Sequence, residues 1–263
     1  MRKSLILCLL ASLLAAAPAL AAGEPLVVGT DCNYSPYSSK DADGNLVGFE
    51  IDLANEIGKR LGREVKFECT PFDSAIASLN THKFDLLLDT LSITEERKKQ
   101  VDFSTPYRSN AARFGTTAAF SIEPFDQSGA PNIKGLEGKV IGLQGATVYE
   151  DYVKKAFPGV KVLVHEKLPN LYEDLKTGRV DLVIASTSNI WGGLVSKDEA
   201  AFKFIGPDIE DSAFGEGVGG AVRKGDPLLS DVNTALGQII ADGTFEAINK
   251  KWFPFSLLPS VWN

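Results

Sequence analysis

The sequence predicts an α/β protein of two similar units, each a mostly parallel sheet flanked by helices. Two observations carry this. Short apolar strands alternate with amphipathic helices from Leu26 onward, and the alternation restarts after residues 120–137, where Pro124, Pro131 and several glycines make a loop. Alternation of this kind requires crossover connections, which place helices on both faces of a parallel sheet.

Residues 26–30 (LVVGT) read as the first strand. The segment DADGNLVGF carries Asp-Gly turn chemistry and predicts a small hairpin before a helix over 49–61. A strand at 64–69, a helix at 72–80 and a strand at 84–89 complete the first unit. In the second, strands fall at 139–143, 161–165 and 180–185, with helices at about 148–156, 169–177 and 188–196. Leu228 to Trp252 is helical and amphipathic, and it should return to pack on one of the two units.

Arg2 and Lys3, the apolar run Leu5–Leu20 and the small residues through Ala22 match a secretory signal peptide cleaved after Ala21 or Ala22. The run is short for a membrane span of roughly 20 residues. Losing Arg2 and Lys3 takes the formal charge from -7 to -9, against a nucleic-acid binder with its basic face. Cys8 leaves with the signal. Cys32 and Cys69 lie at matching strand ends, and export permits them to pair, two free buried thiols being the alternative.

GEGVGG at 215–220 fits the dinucleotide fingerprint, but a strand-like stretch follows it where the fingerprint needs a helix. A flexible connection is the reading adopted. With His82 and His165 the only histidines, and no Walker motif or zinc spacing, neither cofactor nor metal is expected.

Ligands of open parallel sheets bind beyond the carboxyl ends of the strands. Those ends carry Asp31, Asn33 and Tyr34; Phe72; Asp89, Thr90 and Ser92; Gln144, Ala146 and Thr147; and Ser186 and Ser188. Thr94 reads as a helix N-cap with Glu95 and Glu96 in the first turn. Arg97 sits poorly there for the dipole. It is either a solvated surface arginine or one curled back over the strand end to grip a carboxylate with two parallel hydrogen bonds.

VGTDCNYSPYSSKDADGNLVGFEIDL, FDLLLDTLSITEER and GKVIGLQGAT together resemble the periplasmic amino-acid-binding proteins of ABC importers, above all the lysine/arginine/ornithine and histidine binders. The resemblance covers nearly the whole mature chain. It implies the type II periplasmic-binding-protein fold: a first lobe from 23–110 and 217–263, a second from 111–216, and crossovers near Arg108–Arg113 and Ser212–Gly219. It implies a monomeric periplasmic receptor, without chemistry of its own, that delivers a small molecule to an inner-membrane ABC permease. Arg97 would grip the ligand α-carboxylate with the backbone N–H groups of Ser92 and Thr147. Thr90 and Ser92 would receive the α-ammonium, Tyr34 and Phe72 would sandwich the stem, Asp31 would pair with a distal cation, and Leu91 and Leu143 would line the walls.

Two positions depart from the family pattern. Ser186 stands where the basic-amino-acid binders carry an aspartate for the α-ammonium, and Asp89 where they carry a small hydroxyl residue. Asp31, Asp89 and Arg97 sum to one negative charge, which a cationic amino acid (arginine, lysine, ornithine or histidine) neutralises, whereas a neutral one strands a buried carboxylate. Asp89 binds the α-ammonium, joins Asp31 at the distal end, or caps its own loop. The second of these admits opine-type derivatives. A cyclohexadienyl-dehydratase-like lyase on the same fold is the competing class; it calls for a dianion site, and the expected pocket has one clear cation.

Overall fold

A computed structural model describes residues 23–259 and 262; the expected signal peptide, residues 1–22, lies outside the described residues. In chain order the elements are β1 (Leu26–Thr30), β2 (Asn33–Tyr34), β3 (Ser38–Lys40), β4 (Leu46–Val47), α1 (Phe49–Leu61), β5 (Val65–Cys69), α2 (Ala75–Asn80), β6 (Leu86–Leu87), α3 (Glu95–Lys98) and β7 (Val101–Phe103). They continue with β8 (Ala112–Thr117), β9 (Val140–Gln144), α4 (Val148–Ala156), β10 (Lys161–His165), α5 (Leu168–Lys176), β11 (Leu182–Ser186), α6 (Thr187–Gly193), β12 (Phe202–Ile209), β13 (Ala221–Arg223), α7 (Leu228–Ala241) and α8 (Thr244–Trp252).

Two five-stranded sheets form two lobes, in the orders β5-β1-β6-β13-β7 and β10-β9-β11-β8-β12. In the first, β13 alone runs against its neighbours; in the second, β8 does. Each of these is the strand by which the chain enters a sheet after crossing from the other. β8 occupies part of the segment expected to be crossover, and β12 was not expected either. The predicted strand at 84–89 shortens to two residues, because Thr90 turns to φ 48 just beyond it. The C-terminal helix is two helices, separated at Gly243 with φ 81.

Helix α1 buries Phe49, Leu53, Ala54 and Ile57, stops at left-handed Gly62, and packs on α7 and α8, so the tail returns to the first lobe. A cluster around Phe114, Ile141, Leu143, Leu171 and Ile184 fills the second lobe. Cys32 and Cys69 form a disulfide across the β1 and β5 ends, Cα to Cα 5.6 Å.

The crossovers run through 104–111 and 210–220 and are bonded to each other. Tyr107 N–H donates to Val218 O at 2.9 Å, and Val218 N–H to Arg108 O at 2.8 Å. The glycine-rich run belongs to this contact. Gly215 has φ 82, and a Cβ there would lie 2.0 Å from Ile93 O, so only glycine permits the approach.

The lobes also touch at their facing rims. Asn189 Nδ2 donates to Ser35 O at 3.2 Å, and the Tyr37 hydroxyl bonds Ser188. A Cβ on Gly192 would come 2.5 Å from Pro36 Cγ.

Candidate functional site

A small cleft lies between the lobes, lined by Tyr34, Phe72, Thr90, Ser92 and Arg97 of the first and Gln144, Thr147, Val148 and Tyr149 of the second, with Arg108 of the crossover. Strand ends supply most of it, as open parallel sheets require.

Thr94 caps α3, its hydroxyl accepting from Arg97 N–H at 3.3 Å. The capped turn aims the Arg97 guanidinium back over the first sheet, where Nη1 donates to Ser92 O at 3.1 Å and Nη2 reaches across to Ala146 O at 3.1 Å. The group is half-buried beside the Phe72 ring, 5.5 Å from its centroid. Burial lowers its pKa to about 10, so it stays cationic near neutrality. Its partners are backbone carbonyls on both lobes, and no ion pair engages it among the described residues.

Ser92 Oγ accepts from Asn110 Nδ2 at 2.8 Å, and Asn110 Oδ1 accepts from the Tyr149 hydroxyl at 3.0 Å, tying the first lobe to α4 through the crossover. Burial raises the Tyr149 pKa to about 12. Thr147 stands at the N-terminus of α4, its hydroxyl donating to Gln144 O at 2.7 Å. Tyr34 is buried against Tyr37.

Of the other expected residues, Leu91 reaches the adjoining part of the cleft beside Phe72, Arg97 and Thr147, and the rest stand back from it. Leu91 packs with Leu79, Phe84 and Leu87 in a small core of the first lobe, and Leu143 lies fully buried in the second. Ser186 caps α6, accepting from Asn189 N–H at 3.3 Å. Asp31 is 5 % exposed next to the cavity. Burial raises its pKa against the pull of Asn33, Lys167 and Gln144, with Glu166 adding to the rise.

Asp89 is 2 % exposed; Oδ1 accepts from Asp31 N–H at 2.9 Å and Oδ2 has no partner. It therefore caps the β1–β2 turn rather than its own loop. Burial, then the fields of Asp31 and Glu50, push its pKa well above the carboxylate range.

Two charged residues were missed. Glu50, in the first turn of α1, is 1 % exposed and accepts from Thr90 N–H at 2.8 and 3.1 Å and from the Tyr107 hydroxyl. Arg108 is 2 % exposed, with its Cζ 4.9 Å from the Tyr37 ring centroid. The three-charge count is thereby corrected. With Glu50 and Arg108 added the sum is still one negative charge if all are ionised, and zero if Asp89 holds a proton. The cavity wall itself carries two arginines and no carboxylate among the described residues.

Crossovers have no apolar period, so only the resemblance pointed at the stretch holding Arg108. Tyr149 was within reach, since a residue in the first turn of a helix capped at a strand end faces the same space as the cap.

The family profile of the bacterial extracellular solute-binding proteins, family 3, matches residues 26–255. The chain is 34% identical over 265 residues to the L-arginine-binding protein of Pseudomonas aeruginosa, covering 99% of this chain and 100% of the relative. It is also 34% identical over 264 residues to the lysine/arginine/ornithine-binding periplasmic protein of Escherichia coli, covering 98% and 99%. Among solved structures, an ancestral arginine-binding protein bound to glutamine superposes with a TM-score of 0.78 at 37% identity, covering 89% of this chain and 99% of that one.

Proposed function

This chain belongs to the bacterial extracellular solute-binding proteins, family 3, and from that premise we propose that it is a periplasmic receptor for a cationic amino acid or close derivative, which it hands to an ABC importer. The observation that carries the reading is Arg97, whose guanidinium lies in the cavity between the lobes and bonds a carbonyl from each. A ligand carboxylate there meets a planar five-donor fork that single-point cations lack. Tyr34 and Phe72 supply faces for an aliphatic stem. Asp31, buried and in no ion pair among the described residues, is the group for a distal cation.

Closure follows from contact with both lobes, since a ligand shifts an equilibrium only by differential interaction with its two states. The protein carries out no reaction. The relatives are named as binding proteins, which favours capture over a dehydratase reaction.

A thermal-shift and calorimetry panel tests the reading. L-arginine, L-lysine or L-ornithine at 100 times its dissociation constant should add about 2.7 kcal/mol of stability. A rise with glutamate and none with the basic amino acids would overturn it.

A further inference from the structure

We propose that Glu50 is a positioning residue for the ligand α-ammonium: its buried carboxylate holds Thr90 in the turn that offers the Thr90 carbonyl and hydroxyl to the cleft. This rests on the cationic-amino-acid reading of the same site.

Thr90 has φ 48, a left-handed conformation that a β-branched residue keeps only where its surroundings impose it. Glu50 is the group that does so. Its two carboxylate oxygens accept from the Thr90 backbone N–H at 2.8 and 3.1 Å.

The carboxylate is itself fixed from two sides. Glu50 N–H donates to Tyr37 O at 3.0 Å, which anchors the first turn of α1, and the Tyr107 hydroxyl donates to Oε1 from the crossover. An acid in a first helical turn ordinarily serves the N-terminus of its own helix. This one is 1 % exposed and reaches across to the end of β6 instead, a burial that is costly unless its hydrogen bonds compensate it.

With its N–H turned to Glu50, Thr90 keeps its acceptors for a ligand. Among the described residues nothing donates to its carbonyl or hydroxyl, and Thr90 lines the cleft. The other acceptors expected for an α-ammonium are engaged or set back. Ser92 Oγ and O accept from Asn110 and Arg97, Ser186 Oγ accepts from Asn189 N–H, and Asp89 does not line the cleft. The segment 90–97 thus carries receivers for both charges of an α-amino acid, the ammonium at Thr90 and the carboxylate at Arg97.

Isothermal titration of the mature protein with L-arginine and with 5-guanidinopentanoate, which lacks only the α-amino group, tests the assignment. L-arginine should bind about tenfold tighter or more, the scale of one charge-assisted contact. In Glu50→Ala its affinity should fall about tenfold or more while that of the analogue stays within about threefold. Glu50→Gln, whose amide oxygen still accepts from Thr90 N–H, should restore most of the difference. Equal losses for both ligands in Glu50→Ala, or an L-arginine loss that Glu50→Gln does not restore, would overturn the proposal. Amide hydrogen exchange of the unaltered protein needs no variant to fold: the Thr90 amide should be protected before any ligand is added, because Glu50 and not the ligand builds the turn. An unprotected Thr90 amide would overturn the proposal as well. If L-arginine binds and gains nothing over the analogue, the receptor reading stands and this inference alone falls; if neither binds, both fall.

Discussion

The backbone N–H of Asp31 donates to Asp89 Oδ1 at 2.9 Å, so one acidic residue at the rim of the cavity is positioned by the carboxyl of another. The arrangement suits a neutral acid, because a protonated carboxyl keeps that acceptor oxygen and sheds the charge that burial penalises. Asp31, Glu50 and Asp89 all have raised pKa values, for which burial is the first cause. The folded chain therefore holds protons that the unfolded chain releases from about pH 4 upward. Stability should fall as pH rises from the ordinary carboxylate range through the raised folded values. Asp89→Asn keeps an acceptor for Asp31 N–H and cannot ionise. Relative to wild type it should gain about 1 kcal/mol or more in urea unfolding on going from pH 5 to pH 8. A loss that is the same at both pH values would mean Asp89 is ionised and compensated.

Arg97→Ala should abolish measurable binding of any amino acid, a loss of about 100-fold or more, since two charge-assisted bonds and the bridge between lobes disappear together. Arg97→Lys should recover little, because one ammonium cannot reproduce the fork. Calorimetric affinity within tenfold of wild type for the alanine variant would remove Arg97 from the site.

Asp31→Asn should weaken L-arginine by about 10- to 100-fold and leave L-citrulline, the neutral urea analogue, nearly unchanged. Parallel titrations of the two ligands measure the charge contribution alone. Equal effects would show that Asp31 acts through the shape of the β1–β2 turn.

Replacing both Cys32 and Cys69 by serine should cost about 4 kcal/mol of unfolding free energy, the chain-entropy value for a closed loop of this size. Guanidinium unfolding of the variant and of the reduced wild type should give the same decrement. A much smaller loss in both would indicate that the unfolded chain keeps the two strands together.

Gly192→Ala separates folding from closure. A methyl on α6 raises local helix propensity by up to about 1 kcal/mol, but it projects to 2.5 Å from Pro36 on the opposite rim. Affinity should fall while thermal stability without ligand holds or rises. If titration gives unchanged affinity, the rims part enough in the liganded state to admit the methyl group.

Periodic residues were the legible ones. LVVGT and the α1 amphipathic face announced themselves because burial repeats along them, the partly exposed strand at 161–165 by its valines, and Thr94 followed by two glutamates marked a real cap. β12 escaped because FKFIGPDI contains a glycine at φ 72 and a proline, which read as a loop; the register with β8 does slip between Ile205 and Ile209. β8 escaped because its Arg113 and Gly115 break an apolar run. In the cavity, residues at strand ends were found by a topological rule, but Arg108 and Glu50 act through tertiary neighbours 80 and 57 positions away in Ser188 and Tyr107. Leu143 shows the reverse: a neighbour of the site in sequence, it turns inward because alternate residues of an extended chain face opposite ways.

Because Tyr107 and Arg108 are laced to Val218, the paired connections flex as one ribbon rather than as two independent tethers. Shear or twist between its strands would sacrifice the lacing, so the halves are left with a single inexpensive path, opening and shutting like a book on its spine. Arg108 is carried on that spine, close to the pivot, where displacement is least, and it stays in register with whatever the pages enclose.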